Sequence, residues 1–132
     1  MVCRERTKES GMKFHIVSDS SCALGRDTPS RLKIDLVPFY AALGHETYFR
    51  PEKDIATHDF YQRMADHPGV FPKTSMPTLE DYLEVFRPAA ARGMPVLCIC
   101  LNGSFSGSLQ SARNAREELL EEGLRPLLAG GA

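Results

Sequence analysis

The chain has 132 residues, 42% of them hydrophobic, with 16 basic and 17 acidic side chains and a formal net charge of −1. That length suits one domain with a sizeable core, and the balanced charge argues against a nucleic-acid-binding module, whose mark is a basic excess. The longest apolar run, Val96 to Leu101, falls far short of the roughly 18 residues that span a bilayer, and the charged start MVCRERTKES has no secretory apolar stretch, so no membrane span and a cytoplasmic location are expected.

Short apolar strands alternate with amphipathic helices along the chain. Lys13 to Ser18 reads as a strand that ends in the polar cluster Asp19-Ser20-Ser21. Thr28 suits the N-cap of a short helix with Pro29 in its first turn. Ile34 to Tyr40 reads as a second strand, and its internal Pro38 favours an edge or a bulge. Glu46 to Phe49 is expected to form a hairpin arm with it across the turn at Gly44. Thr57 is placed to cap a helix with Phe60, Tyr61 and Met64 on one face. A loop from Phe71 to Pro77 follows. Thr78 and Asp81 then resemble a capping box opening a second helix, with Leu79, Tyr82, Leu83 and Phe86 at helical spacing. Arg92-Gly93 stops it. Val96 to Leu101 is apolar on both faces, as a central parallel strand reads. A last long helix is expected from about Ser106, with Leu109, Ala112, Leu119 and Leu120 inward. The fold class is α/β, a parallel sheet with helices on both faces.

The cysteines fit a reducing setting. Cys98 and Cys100 alternate on one strand face as small core residues, and Cys3 and Cys22 complete no metal or redox spacing. His15, His45, His58 and His67 form no ligand pair, so no metal and no cofactor are expected.

Three hydroxyl-rich clusters carry the candidate chemistry: Ser18 to Ser21, Thr74-Ser75, and Ser104 to Ser108. The first and third follow directly on predicted strands. In open α/β sheets ligands bind beyond the carboxyl ends of the strands. A helix opening near Ser106-Gly107 would aim backbone N–H groups at that crevice, and Gly107 would let a ligand approach closely. Sharper enzymatic motifs fail. Phe105 stands where a nucleophile elbow needs Ser, and the Gly-rich loop lacks the Lys of a phosphate-binding P-loop. Asp19, after a strand, fits a nucleophile or metal ligand as in phosphotransfer enzymes, and more commonly a residue that orients its neighbours and caps backbone N–H groups.

At these residues the chain resembles the N-terminal part of a DegV-family protein, a bacterial fatty-acid-binding protein. The pieces follow the family order: Met12 to Val17 into Ser18-Asp19-Ser20-Ser21, Val37-Pro38-Phe39, Phe60-Tyr61, Lys73-Thr74-Ser75-Met76-Pro77, then Leu101 into Ser106-Gly107-Ser108-Leu109-Gln110-Ser111-Ala112. The resemblance covers residues 13–122. It sets aside 1–12 as an N-terminal extension and 123–132 as a divergent tail, with the family's C-terminal domain absent. It implies a carrier, not an enzyme, that holds the carboxylate of one long-chain fatty acid with hydroxyls and presents it to a separate kinase subunit. By position, Thr74 and Ser106 fall on the carboxylate contacts. Asp19, Ser20, Ser75, Asn102 and Gly107 are supporting ligand-binding candidates. Two departures alter the head-group site: Met76 replaces the family's Gln, and Asn102-Gly103 replaces its paired serines.

Burying one methylene contributes about 0.8 kcal/mol, so most affinity for a long acyl chain lies in enclosing the tail. Weak binding by this chain alone is therefore expected. Two other readings compete with the carrier. One is a small phosphotransfer or hydrolytic domain built on Asp19. The other is a truncated fragment that only dimerises through exposed apolar surface.

Overall fold

The computed structural model describes residues 14–45 and 47–124. The expected N-terminal extension, Cys3, Lys13, Glu46 and most of the tail lie outside them. Strand β1 (His15–Asp19) pairs in parallel with β2 (Ile34–Val37) on one side and β5 (Val96–Ile99) on the other, in the order β2-β1-β5. This is the expected parallel α/β arrangement. The placing of the strands within it differs from the sequence reading: β1 is central, and β5 lies at an edge of the described sheet.

Side chains alternate between the faces of a strand, and the two faces of this sheet are treated differently. Val17, Val37, Val96 and Cys98 are fully buried against helices α3 (Leu79–Ala91) and α4 (Ser108–Glu121), where Tyr82, Phe86, Ala112, Ala115 and Leu119 meet them. On the opposite face Ile16, Leu36 and Leu97 are half-buried, and Ile99 stays 46% exposed. The apolar alternation in Val96 to Leu101 thus marks one well-packed face and one thinly covered one. The short helix α1 (Thr28–Leu32) lies against β2. Its N-cap is Asp27, not Thr28, and it ends in a left-handed Lys33 at φ 56°.

The predicted second strand is two strands. Pro38 cannot donate to a ladder, and β2 stops before it at Val37. The chain leaves the sheet and starts β3 (Tyr40–Leu43), which pairs antiparallel with β4 (Pro72–Ser75). The region read as a loop from Phe71 to Pro77 therefore contains a strand. The expected hairpin partner around Phe49 makes one bridge only, to Ala41. Helix α2 (Thr57–Asp66) begins after Ala56 without a side-chain cap, and the Thr57 N–H donates instead to Glu52 Oε1 at 2.9 Å.

The capping box on α3 is formed: the Asp81 N–H donates to Thr78 Oγ1 at 3.2 Å and the Thr78 N–H to Asp81 Oδ2 at 2.8 Å. Thr78→Ala is expected to cost about 1 kcal/mol, read as a fall of a few degrees in thermal unfolding. Asp81 also accepts the Tyr40 hydroxyl at 2.7 Å, so the same carboxylate ties the β3–β4 arm to a core helix.

Beside the arm, the Arg50 guanidinium and backbone N–H both donate to Asp54 and hold its carboxyl down at about 2. A depressed carboxyl pKa lends stability above its ordinary value, and that stability is lost as the pH falls through the folded value. NMR titration of Asp54 is expected to find its midpoint near pH 2, and Arg50→Ala to return it towards the ordinary carboxyl range.

Candidate functional site

The sheet delivers the first and third hydroxyl clusters to the same edge. β1 and β5 run parallel, so both carboxyl ends open on one side. Asp19 joins them. Its side chain is 1% exposed, and each oxygen accepts from a different part of the chain. Oδ1 accepts the Ser21 N–H at 3.2 Å and the Ser21 hydroxyl. Oδ2 accepts the Leu101 N–H at 2.8 Å and the Ser108 hydroxyl at 2.9 Å. The cluster after β1, the end of β5 and the first turn of α4 are thus held to one carboxylate.

From there a circuit of contacts runs through every candidate cluster. Ser20, next to Asp19, accepts the Phe39 N–H on its Oγ at 2.9 Å. Phe39 leads into β3, where Tyr40 is the register partner of Ser75 and Ala41 that of Thr74. Met76 follows, and its thioether lies over Gly107, where a Cβ would come 2.5 Å from Sδ and 3.1 Å from Cε. Gly107 precedes Ser108, and Ser108 returns to Asp19. The space that the sequence reading kept for a ligand over Gly107 is taken by Met76.

Two hydroxyls in this circuit share a useful property. Ser20 Oγ accepts from the Phe39 N–H, and Ser106 Oγ accepts from the Ser108 N–H at 3.2 Å. A hydroxyl has one proton and two lone pairs. With a backbone N–H on the oxygen, its own proton is left to donate to another acceptor. Ser106 does for α4 what a cap residue does: the helix starts at Ser108 rather than Ser106, and its N-cap Gly107 has no side chain to offer. Thr74 and Ser75 are both exposed on β4. Successive strand residues face opposite ways, so the two side chains leave opposite faces of β4. Asn102 has a local task. Its Oδ1 accepts the Ser104 N–H at 2.8 Å, and its carbonyl accepts the N–H groups of Phe105 and Ser106, which shapes the turn into α4.

A buried relay not foreseen from the sequence stands behind the circuit. Tyr82, fully buried on α3, has its hydroxyl 2.6 Å from Ser108 Oγ and 3.5 Å from Cys100 Sγ. Cys98 Sγ lies 3.5 Å from Cys100 Sγ. The donor order follows from the Asp19 end. Ser108 donates to the carboxylate, so it accepts from Tyr82. Cys100 in turn donates to Tyr82, and Cys98 to Cys100. Burial pushes the Tyr82 phenol far above its usual range, the Cys100 contact raises Cys98, and the Cys98 thiol lowers Cys100. The signal was present in the sequence but was assigned to packing: a buried tyrosine hydroxyl needs a partner. Cys22, by contrast, is exposed.

Apolar side chains stand open beside the hydroxyls. Phe105, between Ser104 and Ser106, is 82% exposed, and Met76 is 46% exposed. The cluster is therefore a set of hydrogen-bond donors next to uncovered apolar surface, which suits a ligand with a polar head and an apolar body.

Comparison with known proteins bears on what that ligand is. A family model described as an uncharacterised protein of the DegV family matches residues 13–126. A DegV domain-containing protein of Clostridium acetobutylicum is 31% identical over 111 residues, 84% of this chain and 38% of the relative. Among solved structures, a stearic-acid-binding protein from Eubacterium ventriosum superposes with a TM-score of 0.83 at 39% identity, covering 89% of this chain and 40% of that one. A fatty-acid-binding DegV-family protein from Thermus thermophilus gives 0.74 at 31% identity, covering 90% and 41%. The chain spans about 40% of the length of these relatives.

Proposed function

For a chain that belongs to the DegV family, we propose binding of a long-chain fatty acid, with its carboxylate held by the hydroxyls of Ser106, Thr74 and Ser20 and its first methylenes laid against Met76 and Phe105. The observation that carries this reading is the pair of serines, Ser20 and Ser106, whose oxygens already accept a backbone N–H and whose protons are left to donate. Hydrogen bonds to a charged group contribute about 1.5–3 kcal/mol each. Three such donors together are a head-group site without any side-chain cation.

Ser75, on the opposite face of β4 from Thr74, and Gly107, covered by Met76, hold no part of the head group in this reading, and Asn102 shapes the turn that presents Ser106. Asp19 acts behind the site. Its carboxylate is 1% exposed and accepts hydrogen bonds on both oxygens, which leaves no oxygen for attack on a phosphoryl group. The reading is therefore a carrier rather than a phosphotransfer enzyme. A kinase subunit that phosphorylates the bound carboxylate is the partner the family resemblance implies, and the exposed side of Thr74-Ser75 is where it would reach the head group. Self-association through the thinly covered sheet face around Ile99 is a separate proposal, and a monomer in sedimentation at varied concentration would remove it.

Extraction of the purified protein and mass spectrometry of the extract test the reading. Added long-chain acid is expected to bind weakly, at no more than one per chain, and a stoichiometric acid retained by a confirmed monomer would contradict the weak binding. Absence of binding at millimolar stearate overturns it.

A further inference from the structure

Ser106 owes its orientation to Ser108, whose N–H it accepts at 3.2 Å. Ser108 is fully buried and fixed at its side chain from two directions, donating to Asp19 at 2.9 Å and accepting from Tyr82 at 2.6 Å. Asp19 also holds the Leu101 N–H and, on the far side of Ser20, the Ser21 N–H. The Ser20 and Ser106 hydroxyls are thus the ends of an internal hydrogen-bonded frame. That frame reaches through Tyr82 into α3, an element with no residue in the candidate site.

We propose that Tyr82 and Ser108 are positioning residues for head-group recognition, acting through Ser106 and, by way of Asp19, through Ser20. This rests on the carrier reading for its ligand, but its geometry stands apart from it. Tyr82 fixes the lone pair and proton of Ser108. Ser108 fixes the first turn of α4. That turn sets where the Ser106 proton points. The relay runs one way, from the cysteines to the carboxylate, so each donor polarises the next. Without the Tyr82 hydroxyl, Ser108 keeps its bond to Asp19 and loses the second anchor that holds its side chain in one orientation.

The test uses Tyr82→Phe, which keeps the buried ring, and Ser108→Ala, which removes the link itself. Both are compared with the natural protein for binding of stearic acid and of its methyl ester, which shares the chain and lacks the charged head. Each variant is expected to lower the acid-over-ester affinity ratio by about fivefold, the factor one neutral hydrogen bond contributes, with ester binding unchanged. A packing role alone would weaken acid and ester together and leave the ratio intact, which would overturn the proposal. Amide hydrogen exchange in the ligand-free protein supplies a reading independent of lipid. Tyr82→Phe is expected to speed exchange at Ser108 relative to Leu119 on the same helix, and equal exchange overturns the positioning role. If the natural protein treats acid and ester alike, the carrier reading fails, and the exchange result still decides the positioning role by itself.

Discussion

Asp19→Ala is expected to be the most damaging polar substitution in the described chain. It strips the acceptor from the Leu101 N–H, the Ser108 hydroxyl and the Ser21 N–H together. An unsatisfied buried donor costs about 1–3 kcal/mol, so losing the acceptor of the Leu101 N–H and the Ser108 hydroxyl costs about 2–6 kcal/mol. Whole domains are stable by only about 5–15 kcal/mol. Thermal unfolding followed by circular dichroism should therefore show a fall of roughly 10 °C or more, or a chain that no longer folds. Asp19→Asn keeps the shape and one acceptor oxygen but faces another donor with an amide, and is expected to fall between the two. A stability within about 1 kcal/mol of the natural protein would mean the carboxylate does not hold these elements together.

The second large effect falls on binding rather than folding. Thr74→Val with Ser106→Ala removes two of the proposed head-group donors at positions that are exposed or half-buried, so the fold is expected to survive both, with about 1 kcal/mol lost with the Ser106 cap. Two charge-assisted hydrogen bonds amount to about 3–6 kcal/mol, which is a loss of at least about 100-fold in affinity for the acid. Titration with stearic acid reads it directly. The methyl ester, bound through its chain, should lose much less. Equal losses for acid and ester would assign these residues to the wall of the site and not to the head group.

What the sequence disclosed, and what it hid, follows the range of the interactions involved. The capping box of Thr78 and Asp81 spans three residues, and it is formed as expected. Simple alternation puts Cys98 and Cys100 on one buried face; Cys98 lies on β5, Cys100 just past its end, and both are buried. Pro38 was correctly seen as a disturbance, but its consequence was larger than a bulge: β2 stops and the chain moves into a different sheet. β4 was missed because Pro72-Lys73-Thr74-Ser75 has no apolar alternation to read. It is a strand exposed along its length and defined by its partner β3. The candidate hydroxyls were legible as clusters at strand ends. Their organisation was not, because the bonds that gather them join residues 82 and 89 positions apart. Tyr82 illustrates the same limit. Helical spacing puts it in the core beside Phe86, its ring centroid 5.5 Å away, and says nothing of the Ser108 hydroxyl that it meets there.

Residues that read as loop chemistry thus prove to be tied into the core. Ser106 is reached from Tyr82 through one serine, Ser20 from Asp19 through one peptide bond, and Met76 closes the remaining side over Gly107. In the proposed head-group site, the geometry rests on the packing of α3 and α4 on β1 and the ligand on the hydroxyl protons of Ser106, Thr74 and Ser20.

Stearic acid labelled isotopically at its carboxyl carbon and followed by NMR reads those protons most directly. Bound to the natural protein, the carboxyl resonance is expected to move away from its position in free or micellar acid, and to move back when Ser106 is replaced by alanine. A bound carboxyl that keeps the free-acid resonance, or one that Ser106→Ala leaves in place, would contradict a head group held by these hydroxyls.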